Sequence, residues 1–380
     1  MKSSRIKGLH NKSIEERRLL SLGDLDPEEL GILNTGGLSN SKADTITENV
    51  IGIFALPLSV VPNFLINDEE YILPMVTEEP SIVAAASNAA KLCRDTGGFK
   101  VKPEASVTSC ELLVSENITI VKEYIKSSVE FLKENLICEN TDLVQSGGKV
   151  TDIHYMDLPN SSDIKYLKIR LDIITVDAMG ANIVNSAGEK LGNILTANCD
   201  TTVHGAIVTN SFPQRTTSVS VNYSKKILEN IFPGSVENFL RIYEWAKIDP
   251  SRAVTHNKGI INGISGVAMA LGNDTRAIES GLHFRAASNG IYQPLSRWSV
   301  SGDFLHGEAD FPLAVATVGG MTSHHPEVSL LKTKLRINNS ETANMMAASA
   351  GLANNFSALF AIATSGIQHG HMKLHKRKFR

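Results

Sequence analysis

The chain has 380 residues, 42% of them hydrophobic, and 37 Lys and Arg against 40 Asp and Glu give a formal charge of −3. Single hydrophobic cores rarely grow past roughly 250 to 300 residues, so this length predicts two domains around a large core. The near-neutral balance argues against nucleic acid and anionic membrane surfaces, and no apolar run offers the about 20 residues that cross a bilayer, so a soluble protein is expected. Cys93, Cys110, Cys138 and Cys199 have no CxxC spacing and no secretory signal precedes them. They read as free thiols in a reducing, cytoplasmic compartment, with no metal expected.

Ser13 and Glu16 form a capping-box signature, which starts a helix through IEERRLLSLG. A second short helix is expected within Asp24 to Leu38, where the glycines stop it. Glu48 to Phe64 is apolar but interrupted by Gly52, Pro57 and Pro62, which suits a strand or irregular buried chain better than a helix. Leu65 to Val76 continues as strand, turn and strand with Asn67-Asp68 at the turn. In the following TEEPSIVAAASNAAK, Glu78 and Glu79 precede Pro80 and Ser81 at the start of an alanine-rich helix. Paired carboxylates at a helix N-terminus are explained, taken alone, by the macrodipole. The small Ala84, Ala85, Ala86, Ala89 and Ala90 predict a buried helix that lets another backbone approach.

After Gly97-Gly98 the composition shifts. From about Val101 to Val219, strands surround one amphipathic helix near Val121–Leu136, with further strands near Lys149–Met156 and Tyr166–Val176. That pattern reads as a small α/β insertion with antiparallel strands. It closes on DAMGAN, where a strand runs through Asp177, Met179, Gly180 and Asn182 into a helix whose first backbone amides can hold phosphate. The GxGxxG dinucleotide fingerprint is absent, and a generic glycine turn would carry little by itself.

Helical periodicity returns from Ser224 to Trp245 and leads into VTHNKGIINGISGVAMALGN. Lys258, between Asn257 and Gly259 and ahead of a small-residue apolar run, makes a poor surface helix and is expected to turn inward. An inward ammonium needs a carboxylate or a hydrogen-bonded ligand. Asp274 follows sixteen residues later, and Arg252, six residues earlier, offers a guanidinium suited to bidentate capture of a carboxylate. An anion-handling site follows from these residues, although a structural buried pair also accounts for Lys258 and Asp274. Trp298 to Gly320 alternates like strands and ends in the turn Thr317-Val318-Gly319-Gly320; Asn344 to Ser365 is a small-residue helix. The C-terminal His369, His371 and His375 lack nearby carboxylates, so a single functional histidine is a better reading than a metal site.

The stretches ENVIG, PMVTEEPSIVAAASNAAK, DAMGAN, HNKGIINGI, GNDTRAIE, PLAVATVGG and GIQHGHM occur in this order from about residue 13 to 375. Together they resemble the hydroxymethylglutaryl-CoA reductase (HMG-CoA reductase) family, in its soluble class II prokaryotic type. The resemblance implies an α+β or α/β fold. Residues 1–103 and 220–366 would form a large, mostly helical substrate-binding domain, and 104–219 an inserted small α/β NAD(P)-binding domain, non-Rossmann and ferredoxin-like. Residues 367–380 would begin a C-terminal flap, short here because only nine residues follow His371.

The resemblance also implies the chemistry: two successive hydride transfers from NADH or NADPH that interconvert HMG-CoA and mevalonate plus CoA, with no metal. By position, Glu79, Lys258, Asp274 and His371 are catalytic. Lys258 would stabilise the developing oxyanion, His371 protonate the departing CoA thiolate, Glu79 act as acid in the second reduction, and Asp274 orient Lys258. Ser81, Arg252 and Asn262 would bind substrate, with Arg252 on its free carboxylate. Asp177, Met179, Gly180 and Asn182 would bind the dinucleotide, and Glu139 and Asp142 are the candidates to separate NADH from NADPH. The family's sites form between subunits, so a homodimer or larger homo-oligomer is expected. A catalytically impaired acyl-CoA-binding relative is the alternative. A thiolase or hydrolase would need a nucleophilic Cys or Ser with a base, and no cysteine here lies in such a motif.

Overall fold

The computed structural model describes residues 3–159, 164–364 and 366. The chain divides into two compact units, one from Met1–Pro103 with Thr217–Arg380 and one from Glu104–Thr216. The expected boundary at 219 falls inside a strand that pairs with Phe99–Pro103 from Thr217 onward, so the chain returns to the larger unit before that point. The expected flap at 367–380 lies outside the described residues.

The larger unit begins with α1 (Ile14–Leu22), α2 (Pro27–Thr35) and α3 (Asn40–Asp44). Ser13 and Glu16 form the anticipated capping box, and Asp26 with Glu29 forms another. The hairpin β1 (Leu58–Ile66) and β2 (Glu69–Val76) turns at Asn67 and Asp68, whose φ values of 50° and 69° suit short polar side chains in the left-handed region. Pro62 sits where the register shifts between Val61 and Phe64, a bulge that accommodates its missing N–H. The preceding segment departs from expectation. Residues 50–57 form no regular element, and Ile51 and Phe54 are exposed, because Gly52 and Pro57 break any strand there and the single chain offers nothing to cover them.

Next come α4 (Ile82–Cys93) and β3 (Phe99–Pro103). The inserted unit contains β4 (Val107–Ser115), α5 (Ile118–Asn135), α6 (Thr141–Gln145), β5 (Lys149–Asp157), β6 (Leu167–Ile174), α7 (Ala181–Cys199) and β7 (Thr202–Val208). Its sheet order β5-β6-β4-β7 is antiparallel throughout, which with the βαββαβ chain order is the ferredoxin-like arrangement. Strand alternation sends Leu112, Ile169, Leu171 and Ile173 into one core with Val121, Ile125, Val184 and Leu191 of α5 and α7.

The chain then adds β8 (Thr216–Ser224), α8 (Lys225–Ile231), α9 (Ser235–Ile248), α10 (Pro250–Ala270), α11 (Thr275–Ala287), β9 (Ser296–Ser301), β10 (Phe304–Pro312), α12 (Met321–His324), α13 (Pro326–Leu335) and α14 (Ser340–Ala363). The expected continuous helix from Ser224 to Trp245 is split by Phe232, Pro233 and Gly234 into α8 and α9. A six-stranded sheet of order β2-β1-β3-β8-β10-β9 backs this unit, parallel where β1 and β3 meet and antiparallel at β1–β2, β3–β8 and β9–β10. Its core joins Phe64, Phe99, Tyr223 and Phe311 of the strands to Phe239, Ile260, Ile264 and Phe356 of the helices, with Tyr223 stacked on Phe356 at 3.7 Å between centroids. Helices α10 and α14 pack together so closely that a Cβ at Gly263 would overlap the Ala350 carbonyl. Among the described residues α14 alone is long and apolar enough to cross a membrane, but most of it is buried in this core.

Candidate active site

Helix α10 carries the first part of the site. Asp249 caps it, accepting from the Ser251 N–H at 2.9 Å, and Pro250 opens it with the fixed φ of a first helical position. The Asn257 side chain, fully buried, ties its middle to the chain beyond α11 by donating to the Gln293 carbonyl (2.9 Å) and accepting from the Leu295 N–H (2.9 Å). Lys258 then projects to an ion pair with the Glu79 carboxylate. Asn262, one turn later on the same face, is half-buried and has no hydrogen-bond partner among the described residues. Lys258 is not drawn inward as expected: its side chain is 55% exposed and that of Glu79 36%. Those two groups therefore face solvent in the single chain, and the small residues around them serve the α14 contact instead.

Ser81 stands beside this pair at the N-cap of α4. Its φ of 79° is left-handed, which costs a non-glycine residue about 1–2 kcal/mol. Its hydroxyl is buried without a partner and does not cap α4. A strained backbone around an unsatisfied hydroxyl is the signature of a site built for a ligand oxygen rather than for stability.

Arg252 and Asp274 lie elsewhere. Arg252 is 9% exposed, its guanidinium carbon 5.7 Å from the centre of the Trp245 ring, and its Nη1 is buried without a partner. Six residues at 100° each turn it about 120° away from Lys258 around α10. Asp274 caps α11, accepting from the N–H groups of Arg276 (3.0 Å) and Ala277 (3.2 Å), and pairs with the Arg276 guanidinium at 3.2 Å. From Lys258 to the last residue of α10, Ala270, the axis rises about 18 Å, and helical side chains lean toward the N-terminus, away from Asp274. The structure therefore does not bring Asp274 to Lys258 or Glu79 within one chain. Asp274 sits instead with the Thr317-Val318-Gly319-Gly320 turn, which the Asn273 side chain fixes by bonding both backbone groups of Ala316 (2.7 and 3.1 Å).

In the inserted unit, the loop between β6 and α7 holds the other predicted residues. Gly180 has φ 88° and serves as N-cap of α7; a Cβ there would overlap Thr175. Helix α7 has no side-chain cap and no acidic residue in its first turn, so its first backbone N–H groups are left for an anion. Asn182 is exposed in that turn, and Met179 offers its carbonyl to the Thr108 hydroxyl at 2.6 Å. Asp177 interacts electrostatically with Arg215. The cradle that only glycine permits and the uncapped helix end fit the diphosphate of a dinucleotide. Glu139 is tied to Lys190 at 2.8 Å, and Asp142 lies in the first turn of α6. His371 lies outside the described residues. Among the described residues, no three His, Cys, Asp or Glu side chains converge as a metal site would require.

Comparison with known proteins decides the family. The model of the hydroxymethylglutaryl-coenzyme A reductase family matches residues 13–376. The chain belongs to the HMG-CoA reductase family. A curated relative, the 3-hydroxy-3-methylglutaryl-coenzyme A reductase of Archaeoglobus fulgidus, is 38% identical over 99% of this chain and 86% of its own. Among solved structures, the class II reductase of Streptococcus pneumoniae bound to NADPH superposes with a TM-score of 0.88 at 34% identity, covering 94% of this chain and 99% of that one. A second structure of the Streptococcus pneumoniae reductase gives the same TM-score at 34% identity over 97% of this chain and 90% of its own. This HMG-CoA reductase chain is thus an oxidoreductase that uses a nicotinamide cofactor.

Two buried titratable residues close to these stretches were not singled out from the sequence. His256, four residues after Arg252, is buried, and its Nε2 lies 2.7 Å from Ser296 Oγ and 3.1 Å from Asn355 Nδ2. Burial and the Arg252 charge push its pKa down to about 3, so it is neutral at pH 7. Arg215 is buried beneath the residue 175–180 loop, and burial lowers its pKa to about 10. His256 opens the HNKGIINGI stretch and lies one helical turn from Arg252, the two signals that could have pointed to it, whereas Arg215 lies in none of the quoted stretches.

Proposed function

We propose that this chain converts HMG-CoA to mevalonate and CoA in two successive reductions, or runs the reverse oxidation. NADH or NADPH supplies the hydride in each reduction. The observation that carries the reading is the solvent-facing Lys258–Glu79 ion pair, with Asn262 on the same face and the unsatisfied Ser81 hydroxyl beside it. Lys258 sets its ammonium against the carbonyl oxygen that gains negative charge, and Ser81 and Asn262 orient the acyl group. Arg252, with an unpartnered Nη1, holds the free carboxylate; Glu79 supplies the proton to the alkoxide of the second reduction, and His371 that to the CoA thiolate. Asp177, Met179, Gly180 and Asn182 hold the dinucleotide at the start of α7.

A second copy completes the site. Asp274 of the same chain is held at the far end of α10, so the partner subunit's Asp274 is the one that reaches Lys258 and Glu79. The exposed Ile51 and Phe54 on the irregular 50–57 segment give such a homodimer an apolar surface to bury. The four unpaired cysteines suit a cytoplasmic setting.

The test is absorbance at 340 nm with purified protein, HMG-CoA and either NADH or NADPH, beside Lys258→Ala. The expected result is oxidation of about two cofactors per mevalonate, lost in the variant, with the more effective cofactor giving the preference. Tight binding of HMG-CoA with no oxidation of either cofactor would leave the catalytically impaired relative as the better reading.

A further inference from the structure

Arg215 is the most deeply buried cation of the inserted unit, and no motif accounts for it. The segment that delivers it is pinned on two sides. Phe212 is fully buried with φ 43°, a left-handed conformation unusual for an aromatic residue, and the Gln214 amide donates to the buried Asp172 carboxylate at 2.8 Å. Arg215 is thereby aimed at the β6–α7 loop from below. Its Nη1 lies 3.0 Å from Thr108 Oγ1, 3.3 Å from Thr175 Oγ1, 3.2 Å from the Ala178 carbonyl and 3.4 Å from the Met179 carbonyl. Its Nε and Nη2 are buried without partners.

The loop it touches is strained. Val176 has φ 53°, costly for a β-branched residue, and Gly180 has φ 88°. Such a backbone persists only where its surroundings hold it, and the two carbonyls gripped by Arg215 immediately precede the N-cap of α7. Beside its electrostatic interaction with Asp177, the buried guanidinium directs its hydrogen bonds at four neutral oxygens, a poor return in stability alone, since apolar replacements of buried charges are often neutral. It is well placed for a different purpose. Its charge lies behind an uncapped helix N-terminus, where the macrodipole already favours an anion.

We propose that Arg215 is a positioning residue for the dinucleotide, fixing the residue 176–180 loop and adding positive potential behind the α7 N-terminus where the diphosphate binds. The proposal deepens the dinucleotide reading given above and rests on it. Arg215 acts through the loop's backbone amides and touches neither substrate nor reacting atoms, so its removal weakens cofactor binding while leaving the chemistry intact. A purely structural arginine would lower stability and leave the affinity of the folded protein unchanged.

The experiment compares the full chain with Arg215→Met and Arg215→Lys, measuring thermal unfolding, calorimetric binding of ADP-ribose, and steady-state kinetics. Arg215→Met is expected to weaken ADP-ribose binding by about tenfold and to raise KM for the dinucleotide in proportion. Its kcat at saturating cofactor and its KM for HMG-CoA should stay within about twofold. Arg215→Lys, which keeps the charge but not the planar fork, should recover part of the loss. Should Arg215→Met fail to fold, Thr108→Val removes a shared anchor of the same loop and is expected to weaken ADP-ribose binding in the same direction. Unchanged ADP-ribose affinity in a folded Arg215→Met, or equal losses in the Lys and Met variants, overturns the proposal. Failure of the unaltered chain to bind ADP-ribose overturns the dinucleotide reading itself, which separates the two outcomes.

Discussion

The separation of Lys258 from Asp274 makes a test of site composition that does not depend on seeing the dimer. The axis of α10 carries Lys258 about 18 Å from the end of the helix, and a lysine side chain reaches roughly 6 Å, so the two groups of one chain do not meet. If each site combines Lys258 and Glu79 of one chain with the partner subunit's Asp274, then Lys258→Ala and Asp274→Ala each inactivate a homodimer, by at least about 100-fold. A heterodimer of the two variants is different. One of its sites carries both substitutions and the other carries none. Isolated by separate tags, it should recover about half of the unaltered activity, and an equal random mixture about a quarter. Lys258→Ala combined with Glu79→Gln is the control, because that pair belongs to one chain and every site of the heterodimer then lacks one partner. Recovery in the control but not in the test pair, in a verified heterodimer, would refute the reasoning.

Three further expectations follow from the packing and titration of the same elements. Gly263→Ala should destabilise the larger unit by about 1–3 kcal/mol, because the new methyl overlaps the α14 backbone and outweighs a helix-propensity gain of about 1 kcal/mol; Gly259→Ala, whose nearest neighbour would be Ala358 Cβ at 3.6 Å, keeps that gain, so urea unfolding should shift in opposite directions. His256 has a folded pKa near 3 against about 6.5 unfolded, so only the unfolded chain takes up its proton between those values; stability should fall as pH drops through that window, by up to about 1.4 kcal/mol per unit, and the slope should flatten in His256→Gln. Gly180→Ala forces a side chain into a left-handed position against Thr175 and should cost at least about 1 kcal/mol in the inserted unit and weaken ADP-ribose binding, read by calorimetry beside thermal melting.

How far the sequence disclosed this arrangement depends on the range of the interaction involved. Local rules found the capping box at Ser13, the Asn67-Asp68 turn and the glycine turn of DAMGAN, since each is set by residues within a few positions. The ferredoxin-like insertion came through the resemblance and stands in the strand order, whereas the six-stranded sheet of the larger unit was hidden, because its neighbours β3, β8 and β10 are distant in the chain. Lys258 was expected inside because its flanks are small and apolar. Those flanks face α14, as Gly263 against Ala350 shows, and the lysine lies on the opposite, open side. The error came from assigning a face to a residue from its neighbours rather than from its helical angle. Arg215 was invisible for another reason: a buried cation between two strands leaves no periodic trace.

About half of the buried unsatisfied groups among the described residues lie where the motifs do. Ser81 Oγ, Arg252 Nη1, His256 Nδ1, Thr317 Oγ1 and the Nε and Nη2 atoms of Arg215 are buried without partners in or beside the quoted motif stretches or the residue 175–180 loop, while Ser21 Oγ, Arg94 Nε, Tyr223 Oη, Ser235 Oγ and Ser349 Oγ are buried without partners away from them. An unmade hydrogen bond at a buried polar group costs about 1–3 kcal/mol, so a chain selected only for stability would have few reasons to collect them there. At Ser81 and Arg252 a ligand that supplies the missing partner regains that energy in the bound state, which makes binding and stability the same measurement there. The two sets are also separable. Those around Arg215 belong to the inserted unit and answer to the dinucleotide, while Ser81 and Arg252 belong to the larger unit and answer to the acyl-CoA. NADPH should therefore protect amides of the residue 175–180 loop from hydrogen exchange, and HMG-CoA those at the start of α4. Protection of both regions by either ligand alone would mean that the two sites are coupled, and the independent accounting of their orphaned groups would have to be given up.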